Sequence, residues 1–186
     1  MNKNAFARPR RGVTMVAGLV LALSSAGVSA AQAAPAAPAG GRAGDRFVTH
    51  TRVLNSEALL RIGRAAIREA HRRGQRVTVA IVDRSGATRL VLKTAHAGPQ
   101  TEESAKRKAF TAVSFGQPTS KLAANAVGDG PTIRDIPGTL FLAGGVPVIS
   151  GGMPIAGIGV GGAPQGSIDE AIARAGLRAV EGALGR

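Results

Sequence analysis

The sequence predicts an α+β domain: an antiparallel sheet covered by helices. Short runs of β-branched and alternating apolar residues are separated by Gly-containing turns, as in VTVAIVD-RSG-ATRLVLK. Stretches of helical periodicity stand beside them, bounded by capping and stopping residues. Most successive strands are joined by turns too short for the crossover that a parallel pair needs.

Taken in order, Asn55 or Ser56 as cap and Gly74 as stop define a first helix over SEALLRIGRAAIREAHRRG. It is expected to carry Leu60, Gly63, Ile67 and Ala70 on one face and Arg61, Arg64 and Arg68 on another. VTVAIVD (77–83) and TRLVLK (88–93) read as a hairpin about Arg84-Ser85-Gly86. Thr101 is placed to cap a second helix, TEESAKRKAFTAVSF, with Glu102/Lys106 and Glu103/Arg107 as i,i+4 pairs. After Gln117-Pro118, TSKLAANAV predicts a short third helix and GDGPT a loop. TLFLA (139–143), VPVIS (146–150) and PIAGIGVGG (154–162) then read as three strands, turning at Gly144-Gly145 and Gly151-Gly152. Ser167 and Glu170 form a capping box for a last helix, SIDEAIARAGLRAVEGAL.

GIGVGG (157–162) also fits the G-x-G-x-x-G template of a dinucleotide loop. That loop needs a helix to begin within the motif, so that its amides face the phosphate. Here Ile158 and Val160 interleave with the glycines as in a strand, Pro164 follows, and helical patterning resumes only at Ser167. The motif is therefore read as a glycine-lined strand, on which another backbone, helix or flat ligand can come close.

Lys3, Arg8, Arg10 and Arg11 precede an uncharged run from Val13 to Ala30 and the small triplets Val28-Ser29-Ala30 and Ala31-Gln32-Ala33. This layout predicts an export signal over 1–33, by the Sec or the twin-arginine route. APAAPAGGRAGDR (34–46) reads as a flexible linker, with the folded domain over 47–186. Removing 1–33 takes away four of the 24 basic residues and none of the 11 acidic ones, leaving a balance of +9. There is no cysteine, which excludes disulfides, thiolate metal sites and cysteine nucleophiles. The basic balance favours an anionic small ligand or acidic surface. Nucleic acid is disfavoured by the export signal and by the absence of Trp and Tyr for stacking.

No G-x-S-x-G, H-E-x-x-H or P-loop pattern occurs. His50, His71 and His96 have no metal-site spacing, and Met153 is the one methionine after the signal. Any catalysis would come from a bound cofactor.

VTVAIVDRSGATRLVLK, ESAKRKAFTAVSF, DIPGTLFLAGGVPV and PIAGIGVGGAP, in this order, resemble the GlcG/HbpS-like family of haem-binding proteins over about residues 50–186. The resemblance implies a profilin-like fold with a five-stranded antiparallel sheet between helices, and homo-oligomers, commonly octamers. It is nearest to the exported branch that binds and degrades haem, protects against haem, iron and oxidative stress, and signals to a membrane sensor kinase. A more distant relative, in cobalamin-related proteins, keeps a corrin as the alternative ligand.

In that branch the threonine of IPGTLF contacts haem iron, which makes Thr139 the implied iron contact, with Pro137, Gly138 and Lys108 as further cofactor-binding candidates. Surface iron is implied at an acidic pair three apart followed by lysine. Glu103 and Lys108 match, whereas Lys106 replaces the second acid, and a repelling ammonium weakens that site.

Overall fold

The computed structural model describes residues 46–128 and 130–185. The predicted export signal and all but Arg46 of the linker lie outside the described residues. The chain divides into two units, 1–48 and 49–186. In the first, the Arg46 guanidinium lies 5.4 Å from the centroid of the Phe47 ring.

The second unit has eight main elements: α1 (Ser56–Arg72), β1 (Thr78–Asp83), β2 (Thr88–Lys93), α2 (Gln100–Phe115), α3 (Thr119–Leu122), β3 (Gly145–Ser150), β4 (Met153–Gly161) and α4 (Gly166–Arg178). All pairings are antiparallel, in the order β2-β1-β4-β3. The fold is α+β, as the sequence predicts, with four strands in place of five.

The helices sit on both faces. On one, Leu59, Ile62, Ala66 and Ala70 of α1 and Ile172 and Ala173 of α4 join Val79, Ile81, Val146, Val148, Ile158 and Val160 in the main core. The two helices meet closely at Gly176, where an added Cβ would press on Ile62. The opposite face is covered by α2, whose Ala109 and Val113 pack with Val82.

Side chains alternate along a strand, so Gly157, Gly159 and Gly161 share one face. That face meets α2. A Cβ on Gly157 would collide with the carbonyl of Ala109, one on Gly159 with the carbonyl of Ala105, and one on Gly161 with Ser104 and the Thr101 carbonyl. The glycine strand is thus a bed for the backbone of a helix, and the dinucleotide template is met by coincidence.

Three other details depart from the sequence reading. The buried face of α1 is Leu59, Ile62, Gly63, Ala66 and Ala70, and Leu60 is exposed. Asn55 caps that helix, its side chain accepting from Ala58 N at 2.9 Å. Thr101 does not cap α2. Its hydroxyl is shared with Thr78 at 2.7 Å and donates to Gly98 O, locking α2 to β1. The Ser167/Glu170 box is absent as well, because α4 starts at Gly166 after Gln165 and Glu170 bonds Arg174 instead.

Candidate functional site

The segment between α3 and β3 is fixed first by a short capped turn. Thr132 and Asp135 make reciprocal bonds around the 3-10 turn Ile133–Asp135. Ile136-Pro137-Gly138-Thr139 then forms a type II turn: Pro occupies its second position, Gly138 takes φ 82°, and Thr139 N donates to Ile136 O at 3.3 Å. The Thr139 hydroxyl donates to the same carbonyl at 2.7 Å.

TLFLA, expected as a strand, is not one. Its backbone groups are taken by side chains of the helices beneath it. Arg107 Nη2 donates to Thr139 O at 2.9 Å, and Leu140 N donates to Thr111 Oγ1 at 2.8 Å. Thr119 Oγ1 donates to Leu142 O and accepts from Gly145 N. With these groups satisfied locally, the segment has no ladder to offer the sheet.

The structure brings Pro137, Gly138 and Thr139 together at one turn. Ile136, Pro137 and Gly138 are exposed, whereas Thr139 is 4% exposed. The ring of Phe110 backs the turn, since a Cβ on Gly138 would sit 3.6 Å from it. On the far side of that ring lies Gly86 of the β1–β2 turn. Farther along, Phe141 stacks edge-on against Phe115, with centroids 5.8 Å apart.

Lys108 and Glu103 are not brought to this turn. Lys108 is buried and its ammonium donates to Asp169 Oδ2 at 2.9 Å and Val160 O at 3.0 Å, tying α2 to β4 and α4. Asp169 Oδ1 accepts from Ala163 N at 3.0 Å. Burial pushes the Asp169 carboxyl above its ordinary pKa, against the opposing pull of Lys108 and the Ala163 and Gly162 amides. Glu103 is exposed on the outer face of α2. Its expected partner, Arg107, reaches Thr139 instead, while Lys106 pairs with Glu102 at 2.6 Å. No group of three or more His, Asp or Glu able to hold a metal ion occurs among the described residues.

Arg107, Phe110, Thr111 and Asp169 are the structural partners that sequence reasoning missed. The spacing of 107, 110 and 111 along one helix face could have suggested the first three. Nothing local marks Asp169. Of the other candidates, His71 is exposed near the end of α1, His96 takes φ 64° after β2, and Met153 is exposed at the start of β4.

An antiparallel sheet with α2 laid on a glycine strand, carrying a Pro-Gly-Thr turn above it, defines the class: a small α+β domain with helices on both faces of one sheet. The model for "Haem degrading protein HbpS-like" matches residues 54–178. The chain belongs to this HbpS-like family. A structure of HbpS from Streptomyces reticuli, a double Glu-to-Asp mutant, is 52% identical, with a TM-score of 0.69 over 77% of this chain and 96% of that one. Klebsiella pneumoniae ORFY, at 21% identity and TM-score 0.67, covers 73% of this chain and 95% of its own. A PduOC:haem complex, at 24% identity and TM-score 0.66, covers 73% of this chain and all of the other. These last two show the fold alone. The search of curated proteins finds no match. Among the described residues no helix is long and apolar enough to cross a membrane.

Proposed function

We propose that this protein binds haem at the Ile136–Thr139 turn and presents it for oxidative breakdown, acting after export as a homo-oligomeric guard against haem and iron stress. Membership of a haem-degrading family is the observation that carries this reading. The residues of the turn fit the ligand. Exposed Ile136, Pro137 and Leu142 offer apolar surface to a macrocycle, and the guanidinium of Arg107 stands beside Thr139. The Thr139 hydroxyl gives its proton to Ile136 O, which keeps its oxygen lone pairs for a metal. Because Thr139 is 4% exposed, the iron would reach it only with the exposed Ile136-Pro137-Gly138 segment drawn aside.

When bound, haem supplies the iron and redox chemistry. The chain's own residues position it. The type II turn fixes where Thr139 lies, Arg107 and Thr111 hold the Thr139–Leu140 peptide by its carbonyl and its amide, and Phe110 fills the space beneath. A hydroxyl would hold haem iron more weakly than an imidazole or a thiolate does. Weak ligation suits a protein that lets its haem be attacked. The same reading extends to contact with a membrane sensor kinase, through which bound haem would be reported.

Hemin titrated into the protein lacking residues 1–33 should shift the Soret band with a saturable stoichiometry, and Thr139→Ala should lose that component. Bound hemin should bleach with peroxide faster than free hemin. An unchanged titration in Thr139→Ala would remove the turn as the seat, and equal bleaching would remove the degradative role.

A further inference from the structure

A groove of about 510 Å³ runs between α1 and the edge strand β2. The helix closes on the strand at Gly63, where an added Cβ would lie 2.6 Å from Leu92 Cδ1 and 2.8 Å from Leu90 Cδ2. Arg64, Ile67, Arg68 and His71, at i, i+3, i+4 and i+7, make one helix stripe facing the gap. Ile67 and Leu92 form its floor, and Lys93 stands on the strand side.

The charges of this groove differ from those elsewhere on α1. Arg61 is paired with Glu57, and Arg72 and Arg73 with Glu69. Among the described residues, no carboxylate pairs with Arg64, Arg68 or the His71 imidazole. An apolar floor between unneutralised cations takes an amphipathic anion. The groove is open along its length, which suits a flat ligand better than an alkyl chain that needs an enclosed slot. His71 adds a nitrogen donor, a stronger haem ligand than any hydroxyl.

We propose that this groove is a second haem seat, with the His71 imidazole on the iron and Arg64 and Arg68 on the propionates. It rests on the haem reading of the protein and is separate from the Thr139 turn. Its role is storage: a nitrogen-ligated haem held apart from the weakly ligated one.

The test is hemin and metal-free protoporphyrin titrated into wild type, His71→Ala, Arg64→Glu/Arg68→Glu and Thr139→Ala. The wild type should take two hemins per chain, one with a nitrogen-ligated spectrum. His71→Ala should lose that spectrum yet still bind protoporphyrin, and Arg64→Glu/Arg68→Glu should lose both ligands at the groove. Thr139→Ala should keep the nitrogen-ligated component. Wild-type hemin spectra and stoichiometry in His71→Ala would overturn the proposal, as would protoporphyrin binding indifferent to the double arginine change. So would displacement of the wild type's groove-bound hemin equally well by a saturated fatty acid and by protoporphyrin, which would mark a lipid slot. Loss in Thr139→Ala with none in His71→Ala sinks the groove alone. The reverse sinks only the turn.

Discussion

Lys108 and Asp169, sixty-one residues apart, form an ion pair at 2.9 Å that is almost wholly shielded from water. It joins the centre of α2 to the start of α4 across the end of β4, where Lys108 also holds Val160 O. One consequence concerns acidity. The Asp169 carboxyl is raised above its ordinary 3.8, burial being the largest cause. An acid with a raised folded pKa weighs against the fold as pH climbs from its unfolded value through the folded one. Lys108→Met removes the compensating ammonium and should raise that pKa further. The variant should lose about 3–5 kcal/mol at pH 7. The deficit should narrow as pH falls toward 4, because a protonated carboxyl is no longer a buried charge. Urea denaturation at pH 7 and pH 5 checks this, and a deficit that widens in acid would contradict it.

Gly159 is the position at which a side chain is least tolerable. Its Cβ would strike both the Ala105 carbonyl and, at 2.5 Å, the Ala109 amide nitrogen. Both are backbone atoms of a hydrogen-bonded helix, so neither can swing aside. Gly159→Ala should cost about 3 kcal/mol, at the upper end for overpacking, and Gly159→Val more. Gly182→Ala is the control: nothing lies within 4 Å of its Cβ and no positive φ opposes it. It should stay within about 0.5 kcal/mol of wild type. Equal denaturation midpoints for Gly159→Ala and Gly182→Ala would refute the helix-bed account.

That glycine strand was legible in the sequence because its evidence is local: period-two apolar residues, no helix start, and a proline soon after. The hairpin at Asp83–Ala87 was equally legible, and the Asp83 carboxylate holds it by accepting from Ser85 and Ala87. TLFLA misled because an apolar run looks the same in a strand and in a coil packed on a helix. What decides is Thr111, Thr119 and Arg107, which reach its backbone from 23 to 32 residues away. The buried face of α1 was misplaced in part. Gly63 and Ala70 lie on it as expected, but the stripe is turned about the helix axis, so that Leu59, Ile62 and Ala66 are buried where Leu60 and Ile67 were expected. Of the candidate site, Pro137, Gly138 and Thr139 were marked by the family resemblance alone, and the turn that their Pro-Gly pair makes is passed over when Thr139 is read as the start of a strand. The burial of Lys108 was not legible, since its partner follows from tertiary folding alone.

Glu69 provides a second pH window, of opposite sign. Hydrogen bonds from Arg72 and Arg73 hold its carboxyl down at about 2, against an ordinary 4.5. A lowered carboxylate stabilises fully above its unfolded value and ceases to do so as pH falls through the folded one. The pairs lie near the surface, so their worth is under about 1 kcal/mol. Glu69→Gln should therefore show a small loss that is constant above pH 5 and fades between pH 4.5 and 2. It should also shrink in high salt. A loss that persists unchanged at pH 3 and in 1 M salt would assign Glu69 a packing role instead.

Thr111 is the most direct lever on the Thr139 turn that leaves the turn's own sequence intact. Its hydroxyl donates to Arg107 O and accepts from Leu140 N, both at 2.8 Å, and it is fully buried. Thr111→Val keeps the shape and removes both bonds, leaving the Leu140 amide without its partner. The expected cost is about 1–3 kcal/mol, the price of an unsatisfied buried donor. Most of that should appear as local opening, because the segment belongs to neither the sheet nor a helix. Amide exchange at Leu140 should accelerate well beyond that of Ile158 in β4, and hemin affinity at the turn should fall with it. Val at this position with unchanged exchange at Leu140 but weakened hemin binding would instead place Thr111 in contact with the ligand. Accelerated exchange with full hemin binding would separate the turn's rigidity from its function.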